Sequence, residues 1–288
     1  MLLSQQWERS FEKRLLAVSI EFPRASRILG RMKVTFPLVA TLLILPLTLR
    51  ADAINLAEDD ASQSAYGSGW DNSKNGGTGF SNWTLTVEGN DENRHSGFYI
   101  AETKNNPDLK GIAKNDKAFG LFANGFGFEQ AVAYRAFEKP LQVGDSFSFM
   151  MQAGHFEKKF EKDDPTPGSI GLVLRSGNAN SSVADYNKDA SFEIGYYQGK
   201  SNYQIYDGSD NPDSGVPFTD AGVIVTVTIT GSDTYDLEMQ TLPDKKLTKL
   251  PNRKLKSGAP VQSMSIFDRN GEKYDAYFNQ FQISRETK

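Results

Sequence analysis

The alternation of apolar and polar residues is clearest at positions 222–240. In the first half of this segment every second residue is Val or Ile, and the residues between them are mostly Thr. A short turn at 231–233 contains a glycine, which adopts positive φ at no steric cost. In the second half Tyr235, Leu237 and Met239 alternate with polar residues. Because successive side chains of a strand point to opposite faces, the segment predicts a β-hairpin with one buried face, which a second sheet must cover.

Similar alternation recurs along the chain. The other predicted strands lie at 83–87, 97–101, 118–123, 130–137, 146–152, 169–175, 191–197, 202–207, 261–268 and 276–284. Gly, Asp, Asn or Pro separates them, and the sequence shows neither an internal repeat nor a helical pattern. We therefore predict an all-β domain, a two-sheet antiparallel β-sandwich of jelly-roll type, with a single closed barrel as the alternative. The longest connections, at 154–168 and 207–220, are where binding residues are expected.

The amino-terminal residues have the pattern of a targeting segment. An apolar run at 36–49 follows Arg31 and Lys33, and it precedes Ala51-Asp52-Ala53, an A-x-A cleavage pattern. Because this run is shorter than the roughly 20 residues of a membrane-spanning helix, we predict a signal peptide at 32–53 and a secreted, periplasmic or cell-surface protein. No stable membrane span is expected after cleavage, and an uncleaved anchor is the alternative. Residues 1–31 are predicted to be a long n-region, or a start assigned too early if translation begins at Met32. Residues 54–64 are predicted to be a flexible lead-in, and residues 65–285 a single domain.

Charge and composition exclude several classes of function. The net charge is −4, and removal of residues 1–53, which carry eight Lys or Arg and four Asp or Glu, would leave −8. Phosphate contacts require concentrated positive charge, so no nucleic-acid partner is predicted. The basic run at 245–256 is interpreted as an exposed loop, with a polyanion site as the alternative. Since the chain has no cysteine, it can form neither a disulfide nor a cysteine zinc site.

Aromatic residues beside polar ones are the candidates for ligand binding. Sugar rings stack on Trp and Tyr, while Asn, Asp or Arg side chains bond their hydroxyl groups. The candidates are Trp70 with Asp71 and Asn72 in a glycine-rich segment, Tyr197 and Tyr206 on outward faces, and Arg135 as a polar partner. The alternatives are a core position for Trp70 and cross-strand pairing for the two tyrosines.

A second candidate site is a calcium site in the 207–213 turn. Asp207, Asp210 and Asp213 cluster hard oxygen ligands there, and Ca²⁺ takes six to eight such ligands. The spacing does not match an EF-hand, and Asp, Asn, Gly and Pro are also typical of ordinary turns. Calcium is therefore predicted only as an optional cofactor, and no other cofactor is expected.

The order of several short motifs resembles an uncharacterised family of secreted bacterial β-sandwich domains, and more loosely it is similar to the concanavalin A-like lectin and glucanase superfamily. The motifs are Gly69-Trp70-Asp71-Asn72, Gly76-Gly77-Thr78-Gly79-Phe80, Trp83-Thr84-Leu85, Gly97-Phe98-Tyr99-Ile100, Phe119-Gly120-Leu121-Phe122-Ala123-Asn124, Tyr134-Arg135-Ala136-Phe137, Phe218-Thr219-Asp220 and the closing 276–283. The resemblance covers nearly all of residues 66–284. It implies a concanavalin A-like sandwich, and carbohydrate binding only by analogy.

The predicted function is a non-catalytic, lectin-like module that binds an extracellular polysaccharide or glycan. The E-x-D-x-x-E strand of jelly-roll glucanases and the R-x-E-L, Q-I-H and Y-F-K-x-G signatures of jelly-roll alginate lyases do not occur. With His95 and His155 as its only histidines, the chain has little material for a Ser-His-Asp triad. The alternative is a structural or adhesive surface protein without a small-molecule site; a polysaccharide-degrading enzyme ranks below both.

Overall fold

The structure, a computed structural model, describes residues 53–89, 95–124, 128–153, 167–177, 189–242, 244–270 and 275–287. The predicted signal peptide up to residue 52, most of the 154–168 connection and His155 lie outside these ranges. Within the ranges, no helix has the length and apolar character needed to cross a bilayer.

The described residues form fifteen strands and two short 3-10 helices, at Ser64–Tyr66 and Pro107–Gly111. The strands are β1 (Ala53–Asp59), β2 (Thr84–Gly89), β3 (Ser96–Glu102), β4 (Lys117–Ala123), β5 (Glu129–Ala136), β6 (Asp145–Ala153), β7 (Ser169–Arg175), β8 (Ala190–Tyr197), β9 (Asn202–Tyr206), β10 (Asp213–Pro217), β11 (Val223–Ile229), β12 (Thr234–Thr241), β13 (Leu247–Lys254), β14 (Ser263–Arg269) and β15 (Ala276–Glu286).

These strands form two antiparallel sheets. The eight-stranded sheet has the order β13-β12-β11-β6-β15-β4-β3, with β1 also paired to β15. The seven-stranded sheet has the order β10-β9-β8-β7-β14-β5-β2. The predicted all-β, two-sheet antiparallel sandwich is therefore confirmed.

The core lies between the facing surfaces of the two sheets. In the predicted hairpin β11–β12, Val225 pairs with Met239 and Val227 with Leu237, and all four side chains are buried. The outward residues of β11 and β12 are only half-buried, as the alternation predicts. Burial of each large aliphatic side chain contributes roughly 1.5–3 kcal/mol, so the period of two determines which face of this hairpin is covered.

Two predictions about local structure are wrong. Residues 54–64, predicted as a flexible lead-in, contain most of β1, which pairs with β15 from Ala53–Glu286 to Asp59–Phe281. The alternation of apolar and polar residues does not reveal this strand, because Ile54 and Leu56 are 51% and 42% exposed. The inward side chains of β1 include the acidic Asp59. The basic run, predicted as a loop, forms the edge strand β13 despite Pro251, which an edge strand tolerates because one side of its backbone is unpaired.

A gap in the eight-stranded sheet is closed by one side chain. Along one edge of β15, β4 pairs with residues 276–278 and β1 with residues 281–286, so residues 279–280 have no strand partner there. The Asn279 amide donates to the Ile112 and Lys117 carbonyl oxygens at 2.9 and 2.8 Å, and its Oδ1 accepts from Ala61 N at 3.0 Å. Asn279 therefore supplies the hydrogen bonds that the missing strand would make.

The seven-stranded sheet also carries a second buried cluster on its outer face, formed by Val132, Tyr134, Val173, Ala190 and Phe267. Gly171 and Gly195 face each other in its centre. A methyl group added at Gly171 would lie 2.8 Å from the Phe267 ring, and one at Gly195 would lie 2.3 Å from the Ile170 carbonyl oxygen. Gly171 therefore leaves room for the Phe267 ring, and Gly195 allows the backbone of β7 to approach closely.

Candidate functional site

The outer face of β8 and β9 brings Tyr197 and Tyr206 together. Their ring centroids are 5.2 Å apart with nearly perpendicular planes. Glu193, which pairs with Tyr206 across the two strands, accepts a hydrogen bond from the Tyr197 hydroxyl group. Gly195 lies between Glu193 and Tyr197 on the same face, so no side chain separates the carboxylate from the Tyr197 ring. The sequence prediction of two neighbouring outward tyrosines thus corresponds to a contacting pair, and Glu193 is the partner that the sequence reasoning missed.

The two tyrosines differ in exposure. Tyr206 is 36% exposed, whereas Tyr197 is half-buried. Burial raises the pKa of Tyr197 far above its ordinary value, and the Glu193 charge raises it further. Burial and Glu193 also raise the pKa of Tyr206. Both hydroxyl groups are therefore neutral at physiological pH, and the Tyr206 ring is the part of the pair that an external ligand can reach.

Polar side chains adjoin this pair along the sheet. Arg269 lies close enough for its charge to lower the pKa of Tyr197, against the larger effect of burial, and its Nε donates to Gln130 Oε1 at 2.8 Å. On β9, Gln204 pairs with Gly195. We define the tyrosine face as Glu193, Tyr197, Gln204, Tyr206 and Arg269. Its accessible part is the Tyr206 ring with the half-buried Tyr197 and Arg269, whereas Glu193 and Gln204 are buried beneath them.

Two sequence candidates are core residues and are not part of this face. Trp70 is 3% exposed and packs against Trp83, Phe98 and Phe119, with ring centroids 4.8–5.4 Å apart. Arg135 is fully buried, and its guanidinium lies 4.8 Å from the rings of both Phe80 and Trp83. The prediction that Trp70 and Arg135 contact a glycan is corrected, because neither side chain reaches the surface.

Arg135 instead joins the amino-terminal segment to the seven-stranded sheet. Its Nη1 bonds Asp59 Oδ2, its Nη2 bonds Asn75 Oδ1, and its Nε donates to the Ser81 carbonyl oxygen at 2.8 Å. The Tyr66 hydroxyl group also donates to Asp59, at 2.5 Å. This is a buried ion pair in which Asp59 Oδ2 has two hydrogen-bond partners and Asp59 Oδ1 has none among the described residues. Burial raises the pKa of Asp59 despite the opposing charge of Arg135.

The neighbours of Trp70 are exposed but lie apart from the tyrosine face in the strand order. Asn72 pairs its amide with the backbone of Leu85, accepting from Leu85 N at 2.6 Å and donating to Leu85 O at 3.4 Å. Asp71 is exposed, and its carbonyl oxygen accepts from Lys74 N at 3.3 Å. Asn72 thereby extends the edge of β2, which is a structural contact.

The 207–213 turn is held together by an ion pair. Arg253 donates to both carboxylate oxygens of Asp207, at 2.8 and 3.1 Å, and to the Asn211 carbonyl oxygen at 3.1 Å. The Tyr235 hydroxyl group bonds the same carboxylate. Asp213 accepts from Asn202 Nδ2 and Gly215 N, and these bonds lower its pKa. Asp207 and Asp213 are thus engaged within the protein, and Asp210 is exposed.

The calcium site predicted from Asp207, Asp210 and Asp213 is therefore not assembled. In the part of the chain that the structure describes, no group of three or more His, Asp or Glu residues has the geometry to hold a metal ion. Asp207 fails as a ligand because a guanidinium already neutralises it, which sequence spacing could not reveal since Arg253 lies 46 positions further along the chain.

No protein-family model and no curated protein matches the chain. The chain resembles lectin-type sandwiches loosely. The potassium-bound Emp46p carbohydrate recognition domain is 11% identical, with 70% of this chain and 87% of that chain covered and a TM-score of 0.38. A Bauhinia forficata lectin in complex with GalNAc is 11% identical, with 72% and 100% covered and a TM-score of 0.37.

A protein of unknown function with a galectin-like fold from Bacillus subtilis is 9% identical, with 71% of this chain and 90% of that chain covered and a TM-score of 0.35. Since all three TM-scores are below 0.5, the two-sheet architecture rests on the strand pairing itself.

A buried carboxyl group lies near the end of β14, next in the chain to Arg269. Asp268 is fully buried; its Oδ2 accepts from Ala276 N at 3.2 Å, and its Oδ1 has no hydrogen-bond partner. Burial, and to a smaller extent the charge of Asp275, raises the pKa of Asp268 well above its ordinary value of 3.8. The carboxyl group is therefore neutral in the folded protein at pH values where the unfolded chain has already lost the proton.

This difference in protonation between the folded and unfolded states predicts that the free energy of unfolding depends on pH. Because the folded state keeps a proton that the unfolded state releases above pH 3.8, the contribution of Asp268 to stability decreases as the pH rises towards its folded pKa. Asp268→Asn removes this dependence. We expect the melting temperature of the variant, relative to the unmodified protein, to increase between pH 4 and pH 8 by about 2–4 °C or more, the shift that about 1 kcal/mol produces in a domain of this size. A constant difference over this range would contradict the assignment.

Proposed function

We propose that the protein is a secreted, non-catalytic, lectin-like module that binds an extracellular glycan through the tyrosine face. The observation that carries the proposal is the exposed Tyr206 ring, which lies beside the Glu193 carboxylate and the Tyr197 ring on a sheet surface. Sugar rings present C–H groups that stack on an aromatic face, and their hydroxyl groups bond carboxylate, amide and guanidinium groups.

The tyrosine face is rigid as well as chemically suitable. β8 is paired on both sides, to β7 and β9, and the Tyr197–Glu193 hydrogen bond holds the inner ring in place. Preorganisation of this kind lowers the entropic cost of binding. The sugar would stack on the exposed Tyr206 ring, while Glu193, which is only 5% exposed, holds the Tyr197 ring beneath it. Calcium dependence stays a separate prediction, and the binding assays below include arms with calcium and with EDTA.

Truncation of Tyr206 tests the proposal. Tyr206→Ala should weaken retention on a bound polysaccharide about tenfold, because a stacked ring contributes roughly 0.5–1.5 kcal/mol beyond the area it buries. Affinity electrophoresis of the purified chain in gels containing soluble xylan, β-glucan, mannan or chitosan measures the change. Leu247→Ala, which truncates a similarly exposed apolar side chain on the edge of the other sheet, is the matched control and should leave retention unchanged.

Tyr197 requires a more conservative change. Tyr197→Ala would remove a half-buried ring and the hydroxyl group that bonds Glu193, so it would disturb the sheet surface as well as the site. Tyr197→Phe keeps the ring and frees the Glu193 carboxylate.

Equal retention of the parent protein and Tyr206→Ala on every polysaccharide that binds would exclude this face as the binding surface.

A further inference from the structure

A cleft of about 290 Å³ opens beside β10 and β13, and none of its lining residues belongs to the tyrosine face. Residues 216–219, at the end of β10, form one wall. The other wall is formed by Thr241, Leu242, Asp244, Lys246 and Thr248. Backbone bonds fix both walls: Phe218 N donates to Ser201 O at 3.0 Å, and Leu242 N donates to Gly222 O at 2.9 Å. The cleft is therefore preformed, and its volume is just below the roughly 300–1,000 Å³ of small-molecule sites.

An aromatic stack supports the apolar wall. The half-buried Phe218 ring lies against the Tyr196 ring, with centroids 3.7 Å apart and planes inclined by 23°, and its centroid is 5.7 Å from that of the buried Tyr203. Pro217 and Leu242 extend this wall. Phe218 thus presents a fixed apolar surface to the cleft. Among the described residues, its stacking partners Tyr196 and Tyr203 are both aromatic.

The opposite rim carries one negative and one positive group. Asp244 Oδ1 accepts from Thr241 Oγ1 at 2.6 Å and from Lys246 N at 3.3 Å, and these bonds lower the pKa of Asp244. Asp244 and Lys246 are exposed, and Thr248 lies half-buried beside them in the lining. A neutral hydroxyl group can donate to the Asp244 carboxylate, accept from the Lys246 ammonium group, or do either with the Thr248 hydroxyl group. Because the rim carries one charge of each sign, it disfavours an ionic ligand.

We propose that this cleft is a second ligand site, which takes one neutral pyranose ring with a ring face on Phe218 and hydroxyl groups on Asp244 and Lys246. The site shares no residue with the tyrosine face, so it goes beyond the function proposed above and can fail independently of it. A single ring buries little area, and we expect a Kd on the order of 1 mM.

Saturation-transfer NMR of the purified full chain tests the proposal, with the methyl pyranosides of glucose, galactose, mannose and N-acetylglucosamine as probes. Thr248→Trp fills the cleft and should abolish the transfer signal of the sugar that binds. Asp244→Asn should reduce the affinity at least about fivefold, since hydrogen bonds to charged groups are the stronger ones. Thr226→Trp, a half-buried threonine on the outer face of β11 outside the cleft, is the matched control and should bind normally.

Tyr206→Ala separates this site from the tyrosine face. It should keep the monosaccharide signal even where polysaccharide retention is lost. An unchanged signal in Thr248→Trp, or no signal from any of the four probes with the folded parent protein, would overturn the proposal and leave the tyrosine face untouched. If Thr248→Trp does not fold, Asp244→Asn decides: affinity equal to that of the parent protein overturns the proposal.

Discussion

Replacement of Arg135 by methionine should lower the free energy of unfolding by about 3–5 kcal/mol, the cost of removing one partner of a buried ion pair. The substitution leaves the Asp59 carboxylate inside the protein without its counter-charge. It also removes the bonds to Asn75 and to the Ser81 carbonyl oxygen. Urea denaturation followed by tryptophan fluorescence measures the loss, since Trp83 lies against the Arg135 guanidinium.

A double variant identifies the cause of that loss. When Arg135→Met is combined with Asp59→Asn, the buried charge is gone, while the amide that replaces the carboxylate still offers an acceptor to the Tyr66 hydroxyl group. We expect the double variant to recover at least about 1 kcal/mol relative to Arg135→Met alone. A loss below about 1 kcal/mol in the single variant would show that Arg135 is not the buried partner of Asp59.

Replacement of Asn279 by leucine should lower the free energy of unfolding by about 2–6 kcal/mol. It leaves Ala61 N without an acceptor, at about 1–3 kcal/mol, and it removes one donor each from the Ile112 and Lys117 carbonyl oxygens, at roughly 0.5–1.5 kcal/mol each. These two oxygens still accept from Gln280 Nε2 and Lys114 N. Hydrogen exchange adds a local measurement: the Ala61 amide, which donates to Asn279 Oδ1, should lose protection first.

Asn279→Asp is the matched control for this gap in the sheet. Aspartate keeps the acceptor for Ala61 N and loses the two donated bonds, so the Ala61 amide should stay protected while the free energy of unfolding decreases. Unchanged stability in Asn279→Leu would mean that the gap between β4 and β1 does not depend on this side chain.

The sequence predicted the fold where local alternation and burial agree. In β11 the valines face the core and the threonines face outward, so a period of two is enough to place the strand. In β1 they disagree: Ile54 and Leu56 are exposed while Asp59 is buried against Arg135. That strand is determined by its pairing with β15, more than 200 positions away, and no local pattern carries this information.

The candidate site was predictable only in part. The alternation in β8 and β9 placed Tyr197 and Tyr206 on the same outward face, and the structure brings them into contact. The contribution of Glu193 depends on the register of β8 against β9. Trp70 and Arg135 are residue types that commonly bind sugars, which is why the sequence suggested them. Whether they are exposed depends on what packs over them, here Phe98, Phe119 and the segment that carries Asp59.

The measurement that tests the central claim most directly is a glycan array, with an insoluble-polysaccharide pull-down, of residues 54–288, run with calcium and with EDTA beside Tyr206→Ala. The proposed function predicts specific retention on at least one glycan that Tyr206→Ala weakens about tenfold. Failure of the folded parent protein to bind any glycan under either condition would contradict it, and would favour a structural or adhesive domain whose partner is another protein.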